Sequence, residues 1–182
     1  MNKIRTALIS VSDKENLKDV LKVLRTNKIN IISSGGTFKK IKKLGFSCLD
    51  ISTYTGFDEM LDGRVKTLHP KIHSGILFKR DKKTHKNQMR KKEFKPIDLV
   101  IVNFYPFEKT LEYVHDHKKI IENIDVGGPA MVRSAAKNYN DVTVITSPGQ
   151  YEELIQELRK FKGSTSLNFR EKLSRTAFAE TA

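Results

Sequence analysis

Apolar residues in this chain fall into short unbroken runs, separated by stretches where they recur every three or four positions. Thr6, Ala7, Leu8, Ile9, Ser10 and Val11 read as a buried first strand. Leu17, Val20, Leu21 and Leu24 then share one helical face, with Ser12 or Asp13 as the predicted cap. Ile29, Ile31 and Ile32 predict a second strand over 29–33, and Phe38, Ile41 and Leu44 a second helix that stops at Gly45. Residues 46–51 predict a short third strand, and Ile76, Leu77 and Phe78 read as another extended run. The run 97–102 is the most continuous apolar stretch and belongs to a strand covered on both faces. Pro106 ends it and can open the next helix. Val142, Thr143, Val144 and Ile145 form the last strand. A helix over 151–161 and a final helix carrying Phe169, Leu173 and Ala177 follow. This order predicts an α/β fold, a parallel sheet with right-handed crossovers and helices on both faces.

Length and composition narrow the class. A chain of 182 residues with 38% hydrophobic and 30% charged residues predicts a soluble globular protein of one main domain. That domain is expected over 1–163, with a C-terminal helix in 164–182 that opens a connection to a further domain. The last residues, Glu180, Thr181 and Ala182, carry no glycine or proline stop, so a cut inside a helix of a longer protein is expected. No apolar run approaches the roughly 20 residues that span a bilayer, and the first residues lack the apolar core of a signal peptide. Cys48 is the single cysteine, which excludes an intramolecular disulfide and favours a cytoplasmic setting; a buried, inert thiol is expected. The net charge is +13, and residues 79–95 hold nine basic side chains against two acids. That segment has one aromatic, Phe94, so it lacks the stacking groups of a single-strand binder. A solvated helix or loop is the reading, and nucleic-acid binding the minor alternative.

The candidate chemistry sits where strands end. Ser34, Gly35, Gly36 and Thr37 turn a strand into a helix, which places free backbone N–H groups and a positive dipole end at one point suited to phosphate. Ser10, Ser12 and Lys14 follow the first strand, and Asn103 and Tyr105 follow the long one. In a parallel sheet these groups meet at one edge. For Ser12 taken alone, helix capping is the favoured role. The segment 63–70 carries Arg64 and Lys66 on either side of Val65, so an extended backbone aims both cations the same way, as a phosphate clamp requires. His69 and His73 are four residues apart, but Pro70 argues against a continuous helix and no ligand set completes a metal site. A second Gly-Gly turn, Gly127-Gly128, opens a helix with Pro129 in its first turn. Asp125 before it is a helix cap, or an acceptor for a ring or amide N–H. Lys137 is solvated, or carries a proton where neighbouring cations lower its pKa.

Ser10 to Lys14, Ser34 to Thr37, Thr55-Gly56-Phe57, Gly63 to Pro70, Asn103 to Phe107, Ile124 to Gly128 and Ala135 to Asn138 occur in this order. Together they resemble the inosine monophosphate cyclohydrolase domain of the PurH family of bifunctional purine-biosynthesis proteins, over essentially the whole chain. The octapeptide from Gly63 to Pro70 is the most specific part. The resemblance implies a methylglyoxal-synthase-like, three-layer fold. It also implies ring closure of 5-formamidoimidazole-4-carboxamide ribotide to inosine monophosphate, with loss of water and without metal or other cofactor. Carried over by position, it implies that Ser10, Ser12, Lys14, Ser34, Gly35, Gly36, Thr37, Arg64, Lys66 and Thr67 grip phosphate and ribose. It implies that Asn103, Asp125, Val126, Gly127 and Gly128 contact the base. Lys137 resembles the proton donor and acceptor, and Lys66, Tyr105 and Asp125 its supporting catalytic groups. A homodimer is implied, acting on a small nucleotide and not at a membrane, as is a second, formyltransferase domain absent from these residues. A methylglyoxal synthase-like lyase and a non-catalytic nucleotide-binding regulatory domain remain the alternatives.

Overall fold

The computed structural model describes residues 3–104, 116–122 and 124–182. Its strands are β1 (Thr6–Val11), β2 (Asn30–Ser33), β3 (Leu49–Asp50), β4 (Leu99–Asn103) and β5 (Thr143–Ile145). They form one parallel sheet in the order β3-β2-β1-β4-β5, with Leu8 opposite both Ile32 and Val100 and Ile101 opposite Ile145. All five residues of β4 are buried, as the unbroken apolar run predicts. The helices are α1 (Leu17–Thr26), α2 (Gly35–Lys43), α3 (Ile51–Thr55), α4 (Pro70–Leu77), α5 (Lys83–Lys91), α6 (His117–Glu122), α7 (Gly127–Lys137), α8 (Tyr151–Lys160) and α9 (Leu167–Glu180). Helix α1 packs on α8, while α7 packs on α4 and α9, so both faces of the sheet are covered. The core is continuous through Leu8, Ile9, Leu21, Leu24, Ile101, Met131, Leu154 and Leu173. Among the described residues, no helix is long and apolar enough to cross a membrane.

Four local expectations change, each for an identifiable reason. Helix α1 starts at Leu17, and neither Ser12 nor Asp13 caps it: Asn103 Oδ1 accepts from the backbone N–H of both, at 2.7 and 3.0 Å, and ties their loop to β4. The third strand shrinks to two residues because the Asp50 side chain accepts from Ser52 N–H and caps α3. Residues 76–78 are the end of α4 rather than a strand. Pro70 is the first residue of that helix and His69 its N-cap, so proline starts the helix between the two histidines instead of breaking it. Pro106 and the helix expected after it lie outside the described residues.

Other expectations stand. Gly45 ends α2 with a φ of +80°. The basic segment contains α5, of which Met89 alone is buried, and its lysines are solvated. Cys48 is half-buried rather than buried as expected, yet desolvation pushes its thiol up to about 11, which keeps it protonated at neutral pH. The C-terminal helix shares the main core: Phe169, Leu173 and Ala177 are buried, and Ser174 Oγ donates to Ala136 O. Arg170 is also buried, and its guanidinium donates to Tyr139 O, Thr165 O and Asn140 O at 2.7, 2.6 and 2.9 Å. It thereby fastens α9 to the loop between α7 and β5. Arg170→Met leaves those carbonyls without their donors, and it should lower unfolding free energy by about 2–3 kcal/mol in urea denaturation. A change below about 0.5 kcal/mol would mean that apolar packing alone holds α9.

Candidate functional site

Strand order reverses between β1 and β4, so the loops leaving these strands diverge and leave a crevice beyond their C-terminal ends. A cleft of about 670 Å³ lies at this edge of the sheet, within the range that takes a nucleotide-sized molecule. Ser10, near the end of β1, and Ser34, just after β2, contribute to it. One wall is the loop between α3 and α4, through Asp62, Gly63, Arg64, Lys66, Thr67 and Leu68. The other is the end of α6 and the start of α7: Ile121, Glu122, Ile124, Asp125, Val126, Gly127, Gly128 and Met131.

The first wall is a folded turn rather than the extended segment its sequence predicts. Met60 and Val65 form an isolated antiparallel bridge, and the tip places Leu61, Asp62 and Gly63 at φ of 54°, 54° and 88°. Left-handed backbone at a leucine is strained, and such strain is often found at functional sites. Emerging from the turn, Arg64 and Lys66 both line the cleft but take different partners. Arg64 makes a two-pronged pair with Glu122 of α6, with Nε donating to Oε2 at 3.1 Å and NH2 to Oε1. That pair raises the Arg64 pKa and lowers that of Glu122. Lys66 pairs with Glu59 of its own turn. The Lys66 ammonium also sits over the start of α2, 3.6 Å from where a Cβ on Gly35 would stand. Gly35 has a φ of +53°, which a glycine adopts without strain, and Ser34 makes no side-chain cap. The first turn of α2 and the Lys66 ammonium therefore face a common point, a setting for an anion.

The second wall shows why its turn carries two glycines. A Cβ on Gly127 would collide with Thr67 Oγ1, and one on Gly128 with the Asp125 carboxylate. Asp125, one residue before the N-cap Val126, accepts from Gly128 N–H through Oδ1 at 2.9 Å, so it holds the first turn of α7 from outside the cap position expected for it. Thr67 thus joins the two walls at the base of the cleft. Behind it, His73 Nδ1 lies 3.0 Å from Ser134 Oγ and links α4 to α7. Burial lowers the His73 pKa.

The structure brings Ser10, Ser34, Arg64, Lys66, Thr67, Asp125, Val126, Gly127 and Gly128 together in the cleft, with Gly35 against Lys66. None of the other described candidates lines it. The Thr37 hydroxyl is buried and held by Val11, accepting from its N–H and donating to its carbonyl. Asn103 is also buried, and its amide holds Ser12 and Asp13. These two side chains therefore build the loops instead of facing a ligand. Lys14 Nζ donates to Ser12 O, while Gly36 is exposed with open space around it. Lys137 is exposed at the last residue of α7, about 15 Å along the helix from Gly127 at its usual rise. Tyr105 lies outside the described residues. Residues that sequence reasoning missed are Asp62, Leu68, Ile121, Glu122, Ile124 and Met131. Asp62 and Leu68 flank or lie within the conspicuous octapeptide, while Glu122 carries no local signal at all.

A family model described as the MGS-like domain matches residues 16–130, and one described as the AICARFT/IMPCHase bienzyme matches residues 135–182. The bifunctional purine biosynthesis protein PurH of Bradyrhizobium diazoefficiens is 47% identical over 180 residues, 99% of this chain and 34% of that protein. That of Magnetococcus marinus is 46% identical over 183 residues, 100% of this chain and 34% of that protein. The chain thus spans about a third of the length of these relatives. The crystal structure of ForH superposes with a TM-score of 0.86 at 30% identity, covering 97% of this chain and 91% of that one.

The contact between the walls yields a direct test. Gly127→Ala should destabilise the fold by about 1–3 kcal/mol through its collision with Thr67. In a Thr67→Ala background the same substitution should cost far less, because the colliding oxygen is gone. Denaturation of the four proteins measures this coupling; additive effects would show that the walls do not touch there.

Proposed function

The chain belongs to the MGS-like domain family, and on that premise we propose that it is the inosine monophosphate cyclohydrolase unit of a bifunctional purine-biosynthesis enzyme. The observation that carries this reading is the convergence of Lys66, the first turn of α2 and the Asp125-to-Gly128 turn on one cleft. The substrate is 5-formamidoimidazole-4-carboxamide ribotide. Its phosphate lies against Ser34 and the start of α2, with Lys66 and Arg64 beside it. Its flat heterocycle lies along Ile124, Val126 and Met131, the apolar part of the second wall.

Ring closure joins the carboxamide nitrogen to the formyl carbon of the same molecule, and the formyl oxygen leaves as water once protonated. The reaction is intramolecular, so holding the two substituents face to face removes much of the barrier. Asp125, with one oxygen fixed by Gly128 N–H, accepts from the amide N–H. The Lys66 ammonium, beside the start of α2, holds the phosphate end and so keeps the two reacting substituents in place. Lys137 does not line this cleft in the single chain, and the reading we favour is a homodimer in which the second copy supplies it as proton donor. Tyr105 is the other proposed relay. The working protein is cytoplasmic, and the formyltransferase step belongs to the part of the relatives that these residues do not cover, with the last helix leading towards it.

Mixing the chain with 5-formamidoimidazole-4-carboxamide ribotide should produce inosine monophosphate, followed by ultraviolet absorbance. Lys66→Ala should lower kcat/KM by about 10- to 100-fold, the scale of losing one hydrogen-bonded charge contact to the phosphate. If Lys137 acts across a dimer, mixing Lys66→Ala and Lys137→Ala chains should restore turnover, because the mixed dimer holds one intact site. Tight binding of inosine monophosphate without any turnover would contradict the cyclohydrolase reading and leave a regulatory nucleotide-binding domain.

A further inference from the structure

The cleft carries a charge pattern opposite to the chain around it. The protein as a whole is +13, yet the cleft is lined by two cations, Arg64 and Lys66, and three carboxylates, Asp62, Glu122 and Asp125. Neither cation is free. Glu122 takes both prongs of the Arg64 fork from across the cleft, and Glu59, beside Gly63 in the strained turn, takes the Lys66 ammonium. A carboxylate and a phosphate present the same planar pair of acceptors to a guanidinium. A phosphate that reaches these cations therefore competes with the carboxylates for the Nε–NH2 edge of Arg64 and for the Lys66 ammonium.

We infer that Glu59 and Glu122 are built-in competitors for the phosphate of the ligand. They hold Lys66 and Arg64 in the empty cleft and release them when a phosphate enters. This rests on the nucleotide reading of the cleft. The exchange is easy because the Arg64 and Glu122 side chains are 61% and 58% exposed, and Glu59 is 53% exposed, so each released carboxylate regains water at once. Because Glu122 belongs to α6 and Arg64 to the opposite turn, the exchange also unties the two walls at the mouth of the cleft. The competitors keep the cations oriented and free of other anions. In return, affinity for phosphate-bearing ligands is lower than two open cations would give, while affinity for the unphosphorylated nucleoside is untouched.

Glu59→Gln and Glu122→Gln test this, since both side chains are exposed and either variant should fold. Calorimetric titrations would compare inosine monophosphate, inosine and inorganic pyrophosphate. Each variant should bind inosine monophosphate and pyrophosphate about two- to fivefold more tightly than the parent, with inosine unchanged. The gain should shrink as salt rises from about 0.02 M to about 0.3 M. Unchanged or weaker binding of the phosphate ligands would overturn the inference, as would an equal gain for inosine. Parent protein that binds pyrophosphate but not inosine monophosphate would defeat the nucleotide reading, while the pyrophosphate series would still judge the exchange.

Discussion

The five strands run in one direction, and almost everything about the cleft depends on that. Parallel pairing sends each connection back across a face of the sheet, so the loops after β1, β2 and β4 leave from the same edge. Residues distant in sequence, such as Ser10, Ser34 and Asn103, are thereby neighbours without any pairing signal between them. The burial of β4 anchors the arrangement, because a strand enclosed on both faces cannot slip its register without exposing its aliphatic side chains. The reversal of strand order beside β1 then opens the space that the ligand would occupy.

On this frame, the cleft is shaped by close approach. The second wall can reach the first because Gly127 and Gly128 offer no Cβ to Thr67 and Asp125. Thr37 and Asn103 fix the two loops beneath, and Arg64 and Glu122 join the walls above. Most side chains around the cleft therefore hold one another, Lys66 with Glu59 and Asp125 with Gly128 N–H included, which leaves the first turn of α2 as the backbone open to an incoming anion.

How far the sequence predicts this differs by scale. Strand cores and helix faces are legible, since Leu8, Ile101, Leu154 and Leu173 repeat with the periods that burial demands. Local boundaries are less so, because tertiary bonds decide them: Asn103 accepts from Ser12 and Asp13 N–H and holds that stretch as a loop, and α1 starts only at Leu17. Pro70 reads as a breaker when its position as the first residue of α4 is unseen. In the cleft, glycines, serines and cations are readable as types suited to phosphate. Whether a hydroxyl such as that of Thr37 faces the ligand or the backbone is settled by the packing of α2 on β1. Glu122 could not be found at all, because its meaning comes from Arg64, 58 residues earlier in the chain.

On the proposed function, one nucleotide lies across this cleft, phosphate towards the start of α2 and base towards the start of α7. A crystal structure of the chain with inosine monophosphate tests it most directly. Phosphate oxygens are expected within hydrogen-bond reach of Lys66 and of the backbone around Gly35, with the purine against Val126 and Met131. A nucleotide seated elsewhere, such as in the apolar groove between α4 and α5 beside Met89 and Phe94, would contradict it.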